Sequence, residues 1–95
     1  MPKGYVIGHI TVTDSESYPK YGKLAEEALV KFGGRFLARG GCCDQVEGNG
    51  RPRNVILEFE SYEAATNYYH SPEYQAAAKI RQGCGECDMV VVEGV

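Results

Sequence analysis

Two stretches of the chain alternate between apolar and polar residues, as strands with one buried face do. Residues 5–12 carry valine or isoleucine at most even positions, while the odd positions mix tyrosine, isoleucine, histidine and threonine. Residues 54–59 alternate in the same way, with apolar side chains at 55, 57 and 59. A side-chain period of two residues predicts a β-strand in each stretch. Apolar runs predict two further strands, at about 35–40 and at 88–93.

Between the first two strands, apolar residues recur every three to four positions, which predicts a helix. Asp14 is the expected N-cap, and Pro19 is tolerated if it lies in or near the first turn. Gly33-Gly34 is expected to end the helix, where a left-handed residue is favoured. The apolar stripe consists of Tyr18, Tyr21, Ala25, Ala28 and Phe32.

A second helix is expected in two pieces. Ser61 can cap the first piece, which runs to Tyr69. Ser71-Pro72-Glu73 then supplies a serine cap, a proline at the first helical position and an acid in the first turn, so the helix restarts there and continues to about Arg81. Between the second and third strands, residues 47–53, with Asn49-Gly50, are expected to mark the turn back.

The element order βαββαβ predicts an α+β fold of the ferredoxin-like type. Right-handed crossovers give a four-stranded antiparallel sheet with the helices on one face. The other face would carry Ile7, Leu37, Ile56 and part of residues 89–92, which is too apolar to remain in water. We therefore expect a single domain over residues 1–95 that pairs face to face as a homodimer, forming a barrel with room for an internal cavity.

Composition narrows the class of protein. The chain has 95 residues, of which 43% are hydrophobic and 24% charged, as in an ordinary folded domain. The net charge is −3 and the arginines are scattered, so no basic stripe indicates nucleic-acid binding. The longest apolar run, Met89 to Val92, is too short to span a membrane. The N-terminus lacks the regions of a signal peptide, so a cytoplasmic protein is expected.

Several blocks of sequence are similar, in order, to those of a known family. They are Gly4-Tyr5, Val12 to Asp14, Gly33 to Gly41, Glu47-Gly48, Arg51 to Arg53, Glu58-Phe59, Ser71 to Gln75 and Val92 to Val95. The chain resembles the family of domain of unknown function 1330, within the dimeric α+β barrel superfamily, over nearly its whole length. The resemblance implies the fold and the dimer. It implies no reaction, because superfamily relatives range from cofactor-free monooxygenases to lactone isomerases and haem-binding enzymes.

One candidate site lies on the open face of the predicted sheet. Strand alternation places Tyr5 and His9 on this face, with Glu58 on the neighbouring strand, and Arg39 is expected to share it with Arg35. His9 and Glu58 are the candidate acid and base, and Arg39 is the candidate anchor for a carboxylate or enolate. The alternative is a set of polar groups that satisfy one another or form an ion pair within a dimer interface.

A second candidate site uses tyrosines as the walls of a pocket between sheet and helices. Tyr5, Tyr21, Tyr69 and Tyr74 are the candidate walls, and Ser71 completes the candidate ligand-binding set. The expected ligand is a small aromatic or carboxylated organic molecule, with cofactor-free acid/base or monooxygenase-like chemistry if the protein is an enzyme. No cofactor is expected. The alternatives are plain packing of aromatic rings and a non-catalytic dimeric accessory module whose barrel is filled.

The cysteines offer a third, weaker hypothesis. Cys84-x-x-Cys87 has the spacing of a zinc half-site or a dithiol pair. Its loop is expected at the same end of the sheet as Cys42-Cys43, but at the opposite edge. Adjacent cysteines chelate one metal poorly, and these positions depart from the family pattern. Free thiols and no metal are therefore the prediction.

Overall fold

The elements of secondary structure follow the order βαββααβ. The computed structural model describes residues 2–95, so Met1, where the predicted domain begins, lies outside the described residues. The elements are β1 (Gly4–Val12), α1 (Tyr18–Lys31), β2 (Arg35–Arg39), β3 (Arg53–Phe59), α2 (Tyr62–His70), α3 (Pro72–Cys84) and β4 (Gly85–Glu93). No helix within residues 2–95 has the length and apolar character needed to cross a membrane.

The strands form one antiparallel sheet in the order β2-β3-β1-β4. This order confirms the predicted ferredoxin-like α+β fold. Val6 and Ile10 of β1, together with Leu57 and Phe59 of β3, are almost fully buried on the face that the helices cover. The core therefore lies between one face of the sheet and the helical layer.

The first helix begins later than predicted. Its N-cap is Ser17, which makes no side-chain capping bond, and Pro19 lies in the first turn. Asp14 instead accepts hydrogen bonds from the backbone N–H groups of Glu16 and Ser17 at 3.1 and 3.3 Å, in the turn that precedes the helix. The prediction of Asp14 as N-cap was wrong because the fixed φ of Pro19 favours a helix start next to the proline. Gly33, at φ 75°, ends the helix as expected.

The predicted break in the second helix is confirmed at Ser71. Its hydroxyl accepts a hydrogen bond from the Tyr74 N–H at 3.0 Å, and Pro72 is the first residue of α3. The helix continues to Cys84, three residues beyond its predicted end, and β4 begins at the next residue. Gly85 allows this direct passage, since a Cβ atom there would lie 2.9 Å from a backbone oxygen of β1. The loop expected between Cys84 and Cys87 is therefore absent.

The connection between β2 and β3 is a loop over residues 40–52. The predicted turn over residues 47–53 lies largely in this loop, but its left-handed glycines are Gly40 and Gly48, at φ 68° and 72°, and not Gly50. Inside the loop, the Gln45 amide donates to the Glu47 carbonyl oxygen at 2.6 Å. A loop of this length is held by its own polar contacts.

A bulge in β2 changes which way its last residues face. Arg35 is paired with Glu58 and Arg39 with Val55, and the register shifts between Phe36 and Ala38. One extra residue on one strand reverses the faces of every residue beyond it. Arg39 therefore lies on the helix-covered face, and the prediction that it shares a face with Arg35 was wrong.

A row of apolar side chains crosses all four strands on the open face of the sheet. Ile7 pairs with Ile56 on one side and Val90 on the other, and Ile56 pairs with Ala38. At a strand spacing of about 4.8 Å, this row is about 14 Å wide. Leu37, on the bulge, is 49% exposed. The predicted apolar open face is therefore present.

Candidate functional site

A narrow crevice lies between α1 and the helix-facing side of the sheet. Its void measures about 40 Å³. The lining residues are Val6, Ile10, Tyr18, Tyr21, Gly22, Ala25, Phe36, Arg39, Arg53, Val55, Leu57, Tyr68, Tyr74 and Met89. None of them is acidic, and most are apolar. A void of this size holds water, whereas an engineered protein cavity that binds benzene measures about 150 Å³.

Tyrosine side chains form the polar part of the crevice. The hydroxyl groups of Tyr21 and Tyr74 are 2.9 Å apart, and the Tyr21 and Tyr74 rings meet edge to face. Arg81, 9% exposed, donates from Nη1 to the Tyr74 oxygen at 2.6 Å. Burial raises the pKa of Tyr74 far above the ordinary tyrosine value, so the Tyr74 hydroxyl is protonated at neutral pH.

Two arginines of the sheet lie along the same crevice. Arg39 forms an ion pair with Glu26 of α1 at 3.1 Å, and its guanidinium lies 4.2 Å from the centre of the Phe36 ring. The Arg53 guanidinium lies 5.4 Å from the centre of the Tyr18 ring. Arg39 is thus paired with a carboxylate, whereas no carboxylate of residues 2–95 lies within 4.0 Å of Arg53.

On the opposite side of the sheet, Tyr5 and Glu58 are brought together as predicted, but with Arg35 and not Arg39. The Tyr5 hydroxyl donates to Glu58 at 3.2 Å, and Arg35 Nε donates to the same carboxylate at 2.8 Å. Burial opposes ionisation of Glu58, but the hydrogen bond and charge of Arg35 outweigh it and hold its pKa below the usual value. Burial, reinforced by the carboxylate, raises the pKa of Tyr5.

His9 lies at the other end of this face, away from Glu58. It pairs with Asn54, whose side-chain oxygen accepts a hydrogen bond from His9 Nδ1 at 2.5 Å. Asn54 and Glu58 are four residues apart on one strand, which separates them by about 13 Å. The predicted acid–base pair therefore does not form within one protomer, although the separate roles of the two residues remain predictions.

A polar hollow surrounds His9. Arg51 reaches across it from the 40–52 loop and donates to Asp88 at 2.9 Å and to Glu86 at 3.0 Å. Thr11 accepts a further hydrogen bond from Arg51 at 3.0 Å. The charged groups in this hollow are paired with one another. This agrees with the alternative that the polar groups of this face satisfy one another's hydrogen bonds.

The other predicted ligand-binding residues have structural contacts. Ser71 is 5% exposed, and its hydroxyl donates to the Tyr68 carbonyl oxygen at 2.7 Å while capping α3. Tyr69 packs its ring 5.3 Å from that of Tyr74, behind the crevice wall. Tyr21 and Tyr74 line the crevice, whereas Tyr5, Tyr69 and Ser71 do not.

The cysteines are all present as thiols. Cys84 is buried at the end of α3, Cys87 is half-buried on β4, and Cys42 and Cys43 are exposed in the 40–52 loop. Burial raises the pKa of both Cys84 and Cys87. Within residues 2–95, no group of three or more His, Cys, Asp or Glu side chains is arranged to hold a metal ion.

Sequence reasoning missed Arg53 and Arg81, although both carry a signal in the pattern of the chain. Arg53 is in phase with Val55 and Leu57, the buried side of β3. Arg81 follows Tyr74 by seven residues and Ala77 by four, which places it on the buried stripe of α3. An arginine at a position where the periodicity of a strand or helix predicts an apolar residue indicates a charge that faces the core.

Residues 3–95 match the model of a family described as Domain of unknown function (DUF1330). The chain belongs to the DUF1330 family. This finding confirms the resemblance predicted from the sequence blocks. No curated protein matches the chain.

Solved structures share the fold of this DUF1330 chain. The RPA0582 protein of unknown function from Rhodopseudomonas palustris has 16% identity and a TM-score of 0.77, covering 99% of this chain and 83% of that chain. SnoaB, a cofactor-independent oxygenase from Streptomyces nogalater, has 7% identity and a TM-score of 0.66, covering 97% and 92%. A dimeric protein of unknown function and ferredoxin-like fold from Bacteroides fragilis has 18% identity and a TM-score of 0.56, covering 96% and 95%. At these identities the likeness shows the fold alone.

Proposed function

We propose that this DUF1330 chain binds a small aromatic or carboxylated organic molecule in the crevice between α1 and the sheet. The observation that carries the proposal is the tyrosine wall of Tyr18, Tyr21 and Tyr74 beside two arginines, in a crevice whose lining has no acidic residue. Tyrosine rings offer flat apolar contact together with a polar tip, as sites for planar ligands do.

If the bound molecule is converted, the chemistry we propose is cofactor-free. The oxygenase SnoaB, whose fold is similar, is described as cofactor-independent. His9 and Glu58 lie on the other face of the sheet, so as acid and base they would serve a ligand held on the open face and not one in the crevice of the same protomer.

A non-catalytic accessory module without a ligand is the second candidate function. The observation that favours it is the void of about 40 Å³, which is small for a pocket that already accommodates an organic molecule. Under the first proposal α1 or Tyr21 moves when the ligand binds, whereas under the second the core keeps its packing.

We also propose that the chain is a homodimer whose open sheet faces pack together. The row of Ile7, Ile56 and Val90 supports this pairing, and Val90 is 51% exposed in the single chain. The similar protein from Bacteroides fragilis is described as dimeric. Apolar rows of this kind are expected to be covered by an equally apolar partner.

Sedimentation equilibrium tests the dimer. Val90→Asp places a charge in the apolar row and is expected to yield monomers. Val30→Asp, on the outer surface of α1 where Val30 is 72% exposed, is the matched control and is expected to remain dimeric. A monomeric wild-type chain would overturn the paired-sheet arrangement.

Native mass spectrometry of the purified protein tests the ligand. A dimer that carries an additional small-molecule mass would support the binding proposal and identify the class of occupant. A chain that carries no added mass, either as purified or after incubation with aromatic acids and their amides, would favour the accessory module.

A further inference from the structure

The positive charge of Arg53 has no acidic partner among residues 2–95. No carboxylate of residues 2–95 lies within 4.0 Å of its guanidinium, although five other ion pairs are present. Its Nε atom is buried and has no hydrogen-bond partner among the residues that the structure describes. The guanidinium packs against Gly40 so closely that a Cβ atom there would lie 2.2 Å from Nη1. Arg53 therefore lies against the backbone of Gly40, with its Nε donor unused.

The hydroxyl groups across the crevice also have a proton to donate. Arg81 can only donate, so the Tyr74 oxygen accepts from it at 2.6 Å. Tyr21 and Tyr74 then have two hydroxyl protons, of which only one can lie between their oxygens, 2.9 Å apart. The other proton has no acceptor among residues 2–95 except Met89 sulfur, a weak one, 3.7 Å from the Tyr74 oxygen.

Arg53 and Arg81 flank the same pair of tyrosine rings, those of Tyr18 and Tyr21. The Tyr18 and Tyr21 rings are 5.4 Å apart, with the Arg53 guanidinium 5.4 Å from the first ring and the Arg81 guanidinium 5.7 Å from the second. Arg81 is also without a carboxylate within 4.0 Å among the described residues. Two cations and a surplus hydroxyl donor in an apolar setting are the groups that a buried negatively charged ligand requires.

We propose that the crevice selects anionic ligands, and that an aromatic carboxylate places its carboxylate between the Arg53 guanidinium and the Tyr21–Tyr74 hydroxyl pair. This inference rests on the proposed function, which by itself leaves the charge of the ligand open. Arg53 and the hydroxyl pair contact the anion, and Arg81 is a positioning residue that acts through Tyr74. Arg39, the anchor predicted from the sequence, is already paired with Glu26 and closes one side of the crevice.

The size of the void agrees with a ligand whose carboxylate enters the void while its ring lies against α1. About 40 Å³ accommodates a group the size of a carboxylate, and the ring of an aromatic acid then requires the wall of α1 to move outwards. Gly22 and Ala25, the α1 residues beside Tyr21, leave little side-chain volume to displace. The anionic group is therefore the part of the ligand for which the protein is already organised.

The test compares aromatic carboxylates with their uncharged amides. Benzoate and 1-naphthoate, with benzamide and 1-naphthamide, are titrated into the purified oligomer at pH 7.5 by isothermal titration calorimetry. The carboxylates are expected to bind roughly 10- to 100-fold more tightly than the amides, as hydrogen bonds to a charged group imply. Arg53→Met should remove this preference, and Arg53→Lys should retain part of it.

Arg35→Met is the matched control, because Arg35 is a sheet arginine on the opposite face, and it is expected to leave the preference unchanged. Tyr21→Phe provides a second test if Arg53→Met does not fold. It should weaken the binding of the carboxylates and leave the binding of the amides unchanged. Carboxylates and amides of equal affinity would overturn the anion inference and leave the proposed function standing. A preference that survives both Arg53→Met and Tyr21→Phe would overturn the assignment of residues. Binding of none of the four compounds would overturn the proposed function itself.

Discussion

Replacing Arg81 with methionine is expected to stabilise the ligand-free protein. Arg81 is 9% exposed, and its guanidinium has a neutral partner, Tyr74, but no carboxylate within 4.0 Å among residues 2–95. A buried cation whose partners are all neutral, here the Tyr74 hydroxyl and the Tyr21 ring, keeps most of its desolvation penalty. Methionine retains the apolar stem and removes the charge. The folded state is therefore stabilised relative to the unfolded chain, and the free energy of unfolding rises.

The magnitude follows from opposing contributions. The charge-assisted hydrogen bond to Tyr74 is worth about 1.5 to 3 kcal/mol, and a cation in the last turn of a helix such as α3 adds about 0.3 to 1 kcal/mol. Desolvation of the guanidinium costs several kcal/mol, so Arg81→Met is expected to raise the free energy of unfolding by up to about 3 kcal/mol. For a domain of this length, each 1 kcal/mol raises Tm by roughly 4 to 8 °C.

Tyr74→Phe supplies the second arm of a double-mutant cycle. It leaves the Arg81 Nη1 donor without its acceptor and should lower the free energy of unfolding by about 1 to 3 kcal/mol. In the Arg81→Met background the same change should cost only about 0.5 to 1.5 kcal/mol, since one neutral hydrogen bond is lost. The difference is the coupling energy of the pair.

Urea unfolding at fixed protomer concentration gives the free energy of unfolding of the wild type, both single variants and the double variant. The m-value must stay constant across the four proteins. An Arg81→Met variant that is less stable than wild type by more than about 1 kcal/mol, the size of an ordinary hydrogen bond, would show that Arg81 stabilises the core. The reasoning that it holds a surplus charge for a ligand would then be refuted.

Other substitutions test the fold and its electrostatics. Gly34→Ala puts a Cβ atom 2.4 Å from a buried leucine carbon and 2.6 Å from a phenylalanine carbon, and urea unfolding should show a loss of about 1 to 3 kcal/mol. Gly22→Ala, whose Cβ meets nothing within 4 Å inside α1, is the control and should gain about 0.5 to 1 kcal/mol. Ser71→Ala removes the cap of α3 and should cost about 0.5 to 2 kcal/mol in urea unfolding, with no loss contradicting the capping role. Because the pKa of Glu58 is lowered in the folded state, its stabilising effect is full above about pH 4.3 and is lost as the pH falls through the folded pKa, so the stability difference from Glu58→Gln should shrink in acid. A difference that stays constant from about pH 3 to 6 would contradict that linkage.

The periodicity of the chain was sufficient to predict the order of the strands and the broken second helix. Alternation over β1 and β3 and the serine–proline start of α3 are local signals that the tertiary structure reinforces. The bulge at Leu37 was not predictable in this way, because it arises from pairing between β2 and β3, which no local pattern of β2 records. Its consequence was large for the candidate site, since it moved Arg39 from the open face to the crevice.

The arginines of the crevice show what a departure from periodicity indicates. Arg53 and Arg81 occupy positions where the pattern of β3 and α3 calls for an apolar side chain, and neither has an acidic partner within residues 2–95. A core selected for stability alone would favour a hydrophobic residue at Arg81. Violations of the local rules tend to lie at functional sites, where the loss of stability is offset by an interaction outside the chain. The stability gained in Arg81→Met and the anion preference lost in Arg53→Met are therefore two consequences of one property, a positive charge that the protein itself leaves unpaired.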